Sequence, residues 1–180
     1  NPVEAQIDLL VQIMPKAKTL GFIYSSSEVN SQIQVDLAKK AAAARGLKTV
    51  EATVSNVNDI QQAAQSLVGK VDAIYVPTDT VLASAMANLV KITDEAKIPV
   101  FCGEGGMTKA GGVATLGIDY YKLGYQTGEM AAAILKGESK PENMAIQSQQ
   151  TFTVLINDAQ VKKLGLTIPD AIKKEAEGAK

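Results

Sequence analysis

The sequence predicts an α/β fold, a doubly wound parallel sheet with helices on both faces. Three observations predict it. Short apolar runs rich in β-branched residues, Thr19–Tyr24, Lys48–Val54, Val71–Val76, Pro99–Cys102 and Gly112–Ile118, alternate with the longer helical stretches Asn30–Arg45, Asn58–Val68 and Val81–Lys97. The first run is continuously apolar, as a strand covered on both faces is, and Val71–Val76 reads as the most buried. Polar clusters gather where the runs end, and in such sheets ligands bind outside the carboxyl ends of the strands. Those ends are Ser25–Ser31, Thr78–Thr80, Gly103–Gly106 and Asp119–Tyr121.

Each element has its own local warrant. Glu4–Met14 reads as a first helix, with Ile7, Leu10, Val11 and Met14 at helical spacing and Pro15 ending it. After the first strand, Asn30 or Ser31 caps a helix that buries Ile33, Leu37, Ala41 and Ala44 and stops at Gly46. Asn58 caps the next helix, to Val68. Pro77 lacks an N–H donor and marks the end of the third strand, and Asp79 caps the long helix through Lys97. Gly103–Gly111 is a loop with one helical turn near Met107–Ala110, and the fifth strand is Gly112–Ile118. Leu123–Lys136 is a helix ended by Gly137, and Glu138–Asn143 is a polar linker. Met144–Asn157 reads as an extended strand, Ala159–Leu164 as a short helix, and a last helix restarts at Thr167–Asp170 and frays over Glu177–Lys180.

Composition narrows the chemistry. The 180 residues are 46% hydrophobic, enough for a core, and the length is that of one domain of roughly 100–200 residues. With a net charge of −1 and no lysine or arginine run, nothing points to nucleic acid or an anionic membrane. No apolar run approaches the ~18–20 residues that span a bilayer. The chain carries no signal peptide or lipidation motif, and its first residue, Asn1, implies that something upstream has been removed. There is no histidine, which excludes Ser-His-Asp and Cys-His machinery and the commonest metal ligand. The single cysteine, Cys102, ends an apolar run and reads as a small core residue. Neither Gly-x-Gly-x-x-Gly nor Gly-Lys-Ser/Thr occurs, so no cofactor is expected.

The order of elements and the residues at their ends resemble the type I periplasmic-binding-protein fold, and within it the ABC-transporter substrate-binding lipoproteins of the tryptophan/tyrosine-binding kind. The segments that carry the resemblance are Leu20–Ser31, Val71–Asp79, Ala96–Phe101, Leu116–Gly128 and Lys162–Pro169. Within them, Tyr75-Val76-Pro77-Thr78-Asp79 and Asp119-Tyr120-Tyr121-Lys122-Leu123-Gly124 are specific together. Such proteins resemble two lobes joined by three crossings. The resemblance implies that residues 1–118 are the carboxy-terminal lobe, with the amino-terminal lobe missing. Residues 119–143 would be a hinge crossing plus a helix belonging to the missing lobe, and 144–180 a returning strand with terminal helices. A helix 123–136 without its partners would dock on another chain, swap into a homodimer, or fold back.

A free amino acid needs an anion site, acceptors for its ammonium group and an apolar slot. The helix amino terminus after Ser25 suits a carboxylate, with the hydroxyls of Ser26, Ser27 and Ser31 and the Asn30 amide as donors. Turn and capping chemistry accounts equally for Asn30 and Ser31. Asp79 and Glu104 are candidate acceptors, Thr78 accompanies Asp79, and Asp119 with Tyr120 sits where the resemblance places a hinge crossing. Asp79 also reads as a cap, and Glu104 as a solvated loop carboxylate. Aromatic residues are 4% of the chain and tryptophan is absent, so an aromatic box would come mainly from the other lobe.

The leading expectation is thus a solute-binding component of an ABC importer, carrying a small amino acid, by resemblance an aromatic one. It would be held outside the cytoplasmic membrane by an upstream lipid and would dock on a permease. The alternative is the ligand-sensing domain of a transcriptional regulator of the same fold, which needs a DNA-binding headpiece. An enzyme is disfavoured because no histidine, cofactor fingerprint or spaced acid pair is present.

Overall fold

The computed structural model describes residues 1–177. A parallel sheet of four strands lies at its centre, β1 (Thr19–Ser25), β2 (Lys48–Val54), β3 (Ala73–Val76) and β4 (Val100–Cys102), in the order β2-β1-β3-β4. The alternation of strand side chains makes two cores. Leu20, Phe22, Ala73, Tyr75 and Phe101 face α1 (Val3–Ile13) and α2 (Val29–Ala44). Ile23, Ile74, Val76, Val100 and Cys102 face α3 (Ile60–Leu67), α4 (Thr80–Ser84) and α5 (Met86–Glu95). β3 and β4 are therefore buried on both sides and β1 nearly so, which is why their sequences are largely apolar, whereas the edge strand β2 leaves Lys48, Glu51 and Thr53 exposed. Phe22 and Tyr75 meet edge to face, with centroids 6.1 Å apart, an arrangement aromatic pairs favour.

The chain order matters for the site. After β1 the chain crosses through α2 to β2 on one flank, then through α3 to β3 on the other. The sheet order reverses between β1 and β3, and the loops after those strands form the crevice where such sheets place ligands.

Several sequence expectations are corrected. α2 is capped at Glu28 rather than Asn30 or Ser31, which lie in its first turn. It buries Ser31, Val35, Ala38, Ala41 and Ala42, while Ile33, Leu37 and Ala44 are exposed. The small residues Ala38, Ala41 and Ala42 let the helix lie close to the sheet, and that close approach outweighs the larger Ile33–Leu37 stripe. Asn56, not Asn58, caps the approach to α3, through a capping box with Asp59 on a 3-10 turn. The single helix expected over Val81–Lys97 is two, broken at Ala85, whose φ of −132° is not helical.

The largest departure is after β4. α6 (Gly105–Lys109) is a short helix, and β5 (Ala114–Gly117) is not part of the parallel sheet, although Val113 just before it donates its N–H to the Val100 carbonyl at 2.7 Å. β5 pairs instead with β6 (Thr153–Ile156), antiparallel, as a two-stranded ribbon. The strand expected over Met144–Asn157 is reduced to β6, with residues 145–152 irregular. α7 (Tyr120–Leu135) projects with no buried residue. α8 (Asp158–Leu164) and α9 (Asp170–Glu177) return against the lobe, where Ile168 and Ile172 enter the first core. The fraying expected over Glu177–Lys180 does not begin at Glu177, which is still helical, and residues 178–180 lie outside the described residues.

Candidate functional site

The strand ends hold the expected residues in two adjoining groups. The first surrounds Thr78, just after β3. Its carbonyl accepts from Asn30 Nδ2 at 2.9 Å and Ser31 Oγ at 3.4 Å, so both side chains reach across from the first turn of α2. Its N–H donates to Gln34 Oε1 at 3.2 Å, and its hydroxyl donates to the Gly103 carbonyl at 3.3 Å. Asn1 Nδ2 donates to Gln34 Oε1 and to Thr78 Oγ1. This polar network spans the crevice between β1 and β3. Ser26 and Ser27 lie exposed at its rim, Ser26 donating to the Val54 carbonyl and Ser27 paired with Ser25 Oγ at 2.9 Å.

Asp79 is different. Only 2% exposed, it accepts from the Leu82 N–H at 2.9 Å and from the Ser25 N–H at 2.7 Å. It caps α4 as expected and also holds the end of β1, so its carboxylate serves the backbone. Glu28 has a related task. Its carboxylate accepts from the N–H groups of Thr80 at 3.0 Å and Val81 at 3.2 Å, tying the loop after β1 to the start of α4.

The second group lies around the ends of β4 and β5. Glu104 accepts from the Gly106 and Met107 N–H groups and so caps α6. Asp119 caps α7 through the N–H groups of Tyr121 at 2.9 Å and Lys122 at 3.1 Å. Those backbone bonds, Lys122's first, hold its carboxyl below the usual range, with the Lys122 ammonium adding a smaller pull. Partial burial, with the nearby Glu104 charge, raises the Tyr120 phenol. Glu104, Asp119 and Tyr120 share one open cleft of about 270 Å³ with Gly105, Lys109, Thr115, Gly117, Ile118 and Leu155. Thr115 is 2% exposed, and its Oγ1 has no hydrogen-bond partner among the described residues.

Two amides, one buried and one half-buried, join the groups to the scaffold, and sequence reasoning missed both. Gln6 is 2% exposed. It accepts from Tyr75 OH at 2.6 Å and donates to the carbonyls of Gly103 at 3.1 Å and Leu116 at 2.7 Å. Gln149 accepts from the Asp119 N–H at 3.1 Å and donates to the Asp119 carbonyl at 2.8 Å, clipping the two chain passages together. Gln34, also missed, lies four residues after Asn30 on the same helix face, a spacing by which it could have been found. Thr115 had no such signal, since it sits inside an apolar run.

The chain thus forms a doubly wound lobe with polar groups gathered at its strand ends and an open cleft beside Asp119. The whole chain, residues 1–180, matches the family model described as ABC transporter substrate binding protein, and the chain belongs to that family. It is 39% identical over 91% of its length to a Clostridioides difficile protein named tyrosine-binding protein, covering 47% of that protein. It superposes with a TM-score of 0.92 on a Streptococcus pneumoniae ABC domain solved in complex with L-Trp, at 36% identity, covering 98% of this chain and 59% of that one. A substrate-binding protein with adhesive properties from Clostridium difficile, in a ligand-free, open structure, matches at TM-score 0.76 and 43% identity, covering 93% and 57%. The chain spans about half the length of the curated relatives it matches. Its family is one of substrate-binding proteins rather than enzymes.

Proposed function

We propose that this chain is one lobe of the solute-binding component of an ABC importer, and that the solute is an aromatic amino acid. The observation that carries the reading is the close match, at TM-score 0.92, to a domain solved with L-Trp. A relative named for tyrosine supports the same ligand class. The ligand is held at the strand ends and the cleft beside Asp119, and a second lobe closes over it. Residues 1–118 are the body of this lobe, 119–143 carry a crossing and a helix that packs in the other lobe, and 144–180 return. Ser26, Ser27, Asn30, Ser31 and Thr78 line the rim that meets the ligand or the opposite lobe, and Asp119, Glu104 and Tyr120 offer acceptors for an ammonium group. Asp79 contributes by holding the loops around it. The closed form docks on the permease outside the cytoplasmic membrane, with a lipid on an upstream cysteine as tether.

Calorimetric titration of the full-length protein with tyrosine, tryptophan, phenylalanine, glycine and glucose tests the proposal. Saturable binding of at least one aromatic amino acid, with none of glycine or glucose, is expected. Binding of no aromatic amino acid overturns it.

A further inference from the structure

One buried side chain stands between the two halves of the candidate site. Gln6 Nε2 donates to the Gly103 carbonyl at 3.1 Å and to the Leu116 carbonyl at 2.7 Å, which uses both of its protons, while Oε1 accepts from Tyr75 OH at 2.6 Å. A flipped amide would set its oxygen against two carbonyls, so the orientation is fixed. Those carbonyls lie at the roots of the acidic half. Gly103 directly precedes Glu104, Leu116 lies three residues before Asp119, and both carboxylates border the same open cleft. Gly103 also reaches the other half. Its carbonyl accepts a second bond, from Thr78 Oγ1 at 3.3 Å. A methyl group on Gly103 would lie 2.6 Å from the Thr78 nitrogen and 2.8 Å from the Pro77 carbonyl carbon, so only a glycine lets these two strand ends come so close. Thr78 is gripped in turn by Asn30, Ser31 and Gln34.

We infer that Gln6 is a positioning residue, which sets the spacing of the two halves to that of an α-amino acid. At 2% exposure it meets no ligand itself. By holding Gly103 against Leu116 it holds Glu104 against Asp119, and through Gly103 it holds that pair against the donors around Thr78. The inference rests on the proposed function, with the ammonium group at the two carboxylates and the ligand's carboxylate at the hydroxyl and amide donors. In an α-amino acid both charged groups sit on one carbon, and in a β-amino acid one further carbon separates them. A site of fixed spacing takes the first and rejects the second, since one misplaced methylene is worth about 10–200-fold. A buried amide with every partner in place is the kind of support that keeps such spacing fixed.

The test is calorimetric titration of the full-length protein with L-tyrosine, L-tryptophan and L-phenylalanine. Each is paired with its β-homo analogue, which carries one extra methylene before the carboxylate. The ratio of the two affinities is read for whichever aromatic amino acid binds most tightly. Wild type is expected to prefer the α-amino acid by at least about tenfold. Gln6→Met, similar in volume but without a donor, is expected to cut that ratio about three- to tenfold by weakening the α-amino acid. Tyr75→Phe leaves both carbonyl bonds in place, and it is expected to lower the melting temperature and keep the ratio. Circular dichroism melting checks folding, and Gln6→Asn, too short to reach both carbonyls, replaces a Gln6→Met that does not fold, with the same expectation. Equal binding of both homologues by wild type overturns the inference. An unchanged ratio in a folded Gln6 variant does so too, as does an equal fall in Tyr75→Phe, which would trace the effect to core stability. In each of these cases the proposed function stands, because an aromatic amino acid still binds. Failure of all three amino acids on wild type overturns both.

Discussion

At the scale of single residues, the buried polar side chains carry more of the organisation than the exposed ones. Gln6 is the clearest case, because one amide satisfies the Tyr75 hydroxyl and two carbonyls from different strands and crossings. Gln6→Ala removes the acceptor of the buried Tyr75 hydroxyl and one donor from each carbonyl, and each buried polar atom left unpaired costs about 1–3 kcal/mol. The expected loss in a urea melt is about 2–4 kcal/mol. Little of this was legible. A glutamine at that position reads as the polar face of an amphipathic helix, and its turn toward the sheet is set by Tyr75, which is distant in sequence. Asp79 was half legible. Its capping role follows from its place after Pro77, but its second bond, to the Ser25 N–H, depends on two loops that only the folded sheet brings together. Tyr24, which donates to Glu51 at 3.0 Å, has its phenol pushed up to about 12 by burial first and then by that carboxylate, so it stays neutral across the physiological range.

Among the elements, α7 begins at a cap whose strength depends on pH. The Asp119 carboxyl is held below its ordinary value of 3.8 in the folded chain. A depressed value means that the charged form favours the fold. Its contribution is complete above the ordinary value and is lost as pH falls through the lower, folded one. The backbone N–H groups of Tyr121 and Lys122 are therefore expected to lose protection as pH is lowered through that window. Asp119→Asn should show no such step by NMR, and a step that survives the substitution removes Asp119 as its cause. The core strands and the helices between them were readable from sequence, because an apolar run bounded by turn residues has few other structures to adopt. The α4–α5 break and the ribbon of β5 with β6 were not. The first turns on the backbone at Ala85, and the second on a strand partner some forty residues away, which no local pattern encodes.

Taken whole, the molecule presents one helix without a core. Tyr121, Tyr125 and Leu135 of α7 are 82, 64 and 88% exposed, an apolar surface that the proposed second lobe would cover. Hydrogen exchange measured on the chain alone and on the full-length protein tests this. Amides of α7 are expected to exchange quickly in the first and to be protected in the second, while β1 and β3 are protected in both. Equal exchange of α7 in both places the helix outside any lobe, and protection that grows with the concentration of the chain alone indicates a second copy on that face. The family was legible in the loops, because the segments at the strand ends keep their order along the whole chain. The ligand was legible only through the resemblance, because aromatic residues are 4% of the chain and tryptophan is absent.

The pairing of Gln149 with the backbone of Asp119 has a mechanical consequence. Two passages of chain fastened side by side behave as a flat spring rather than as two loose strings. Such a spring flexes readily perpendicular to its plane and resists shear within it. A lobe carried on this strip would swing open and shut along one arc instead of sliding sideways, so each closing stroke would return the same pair of surfaces to face one another.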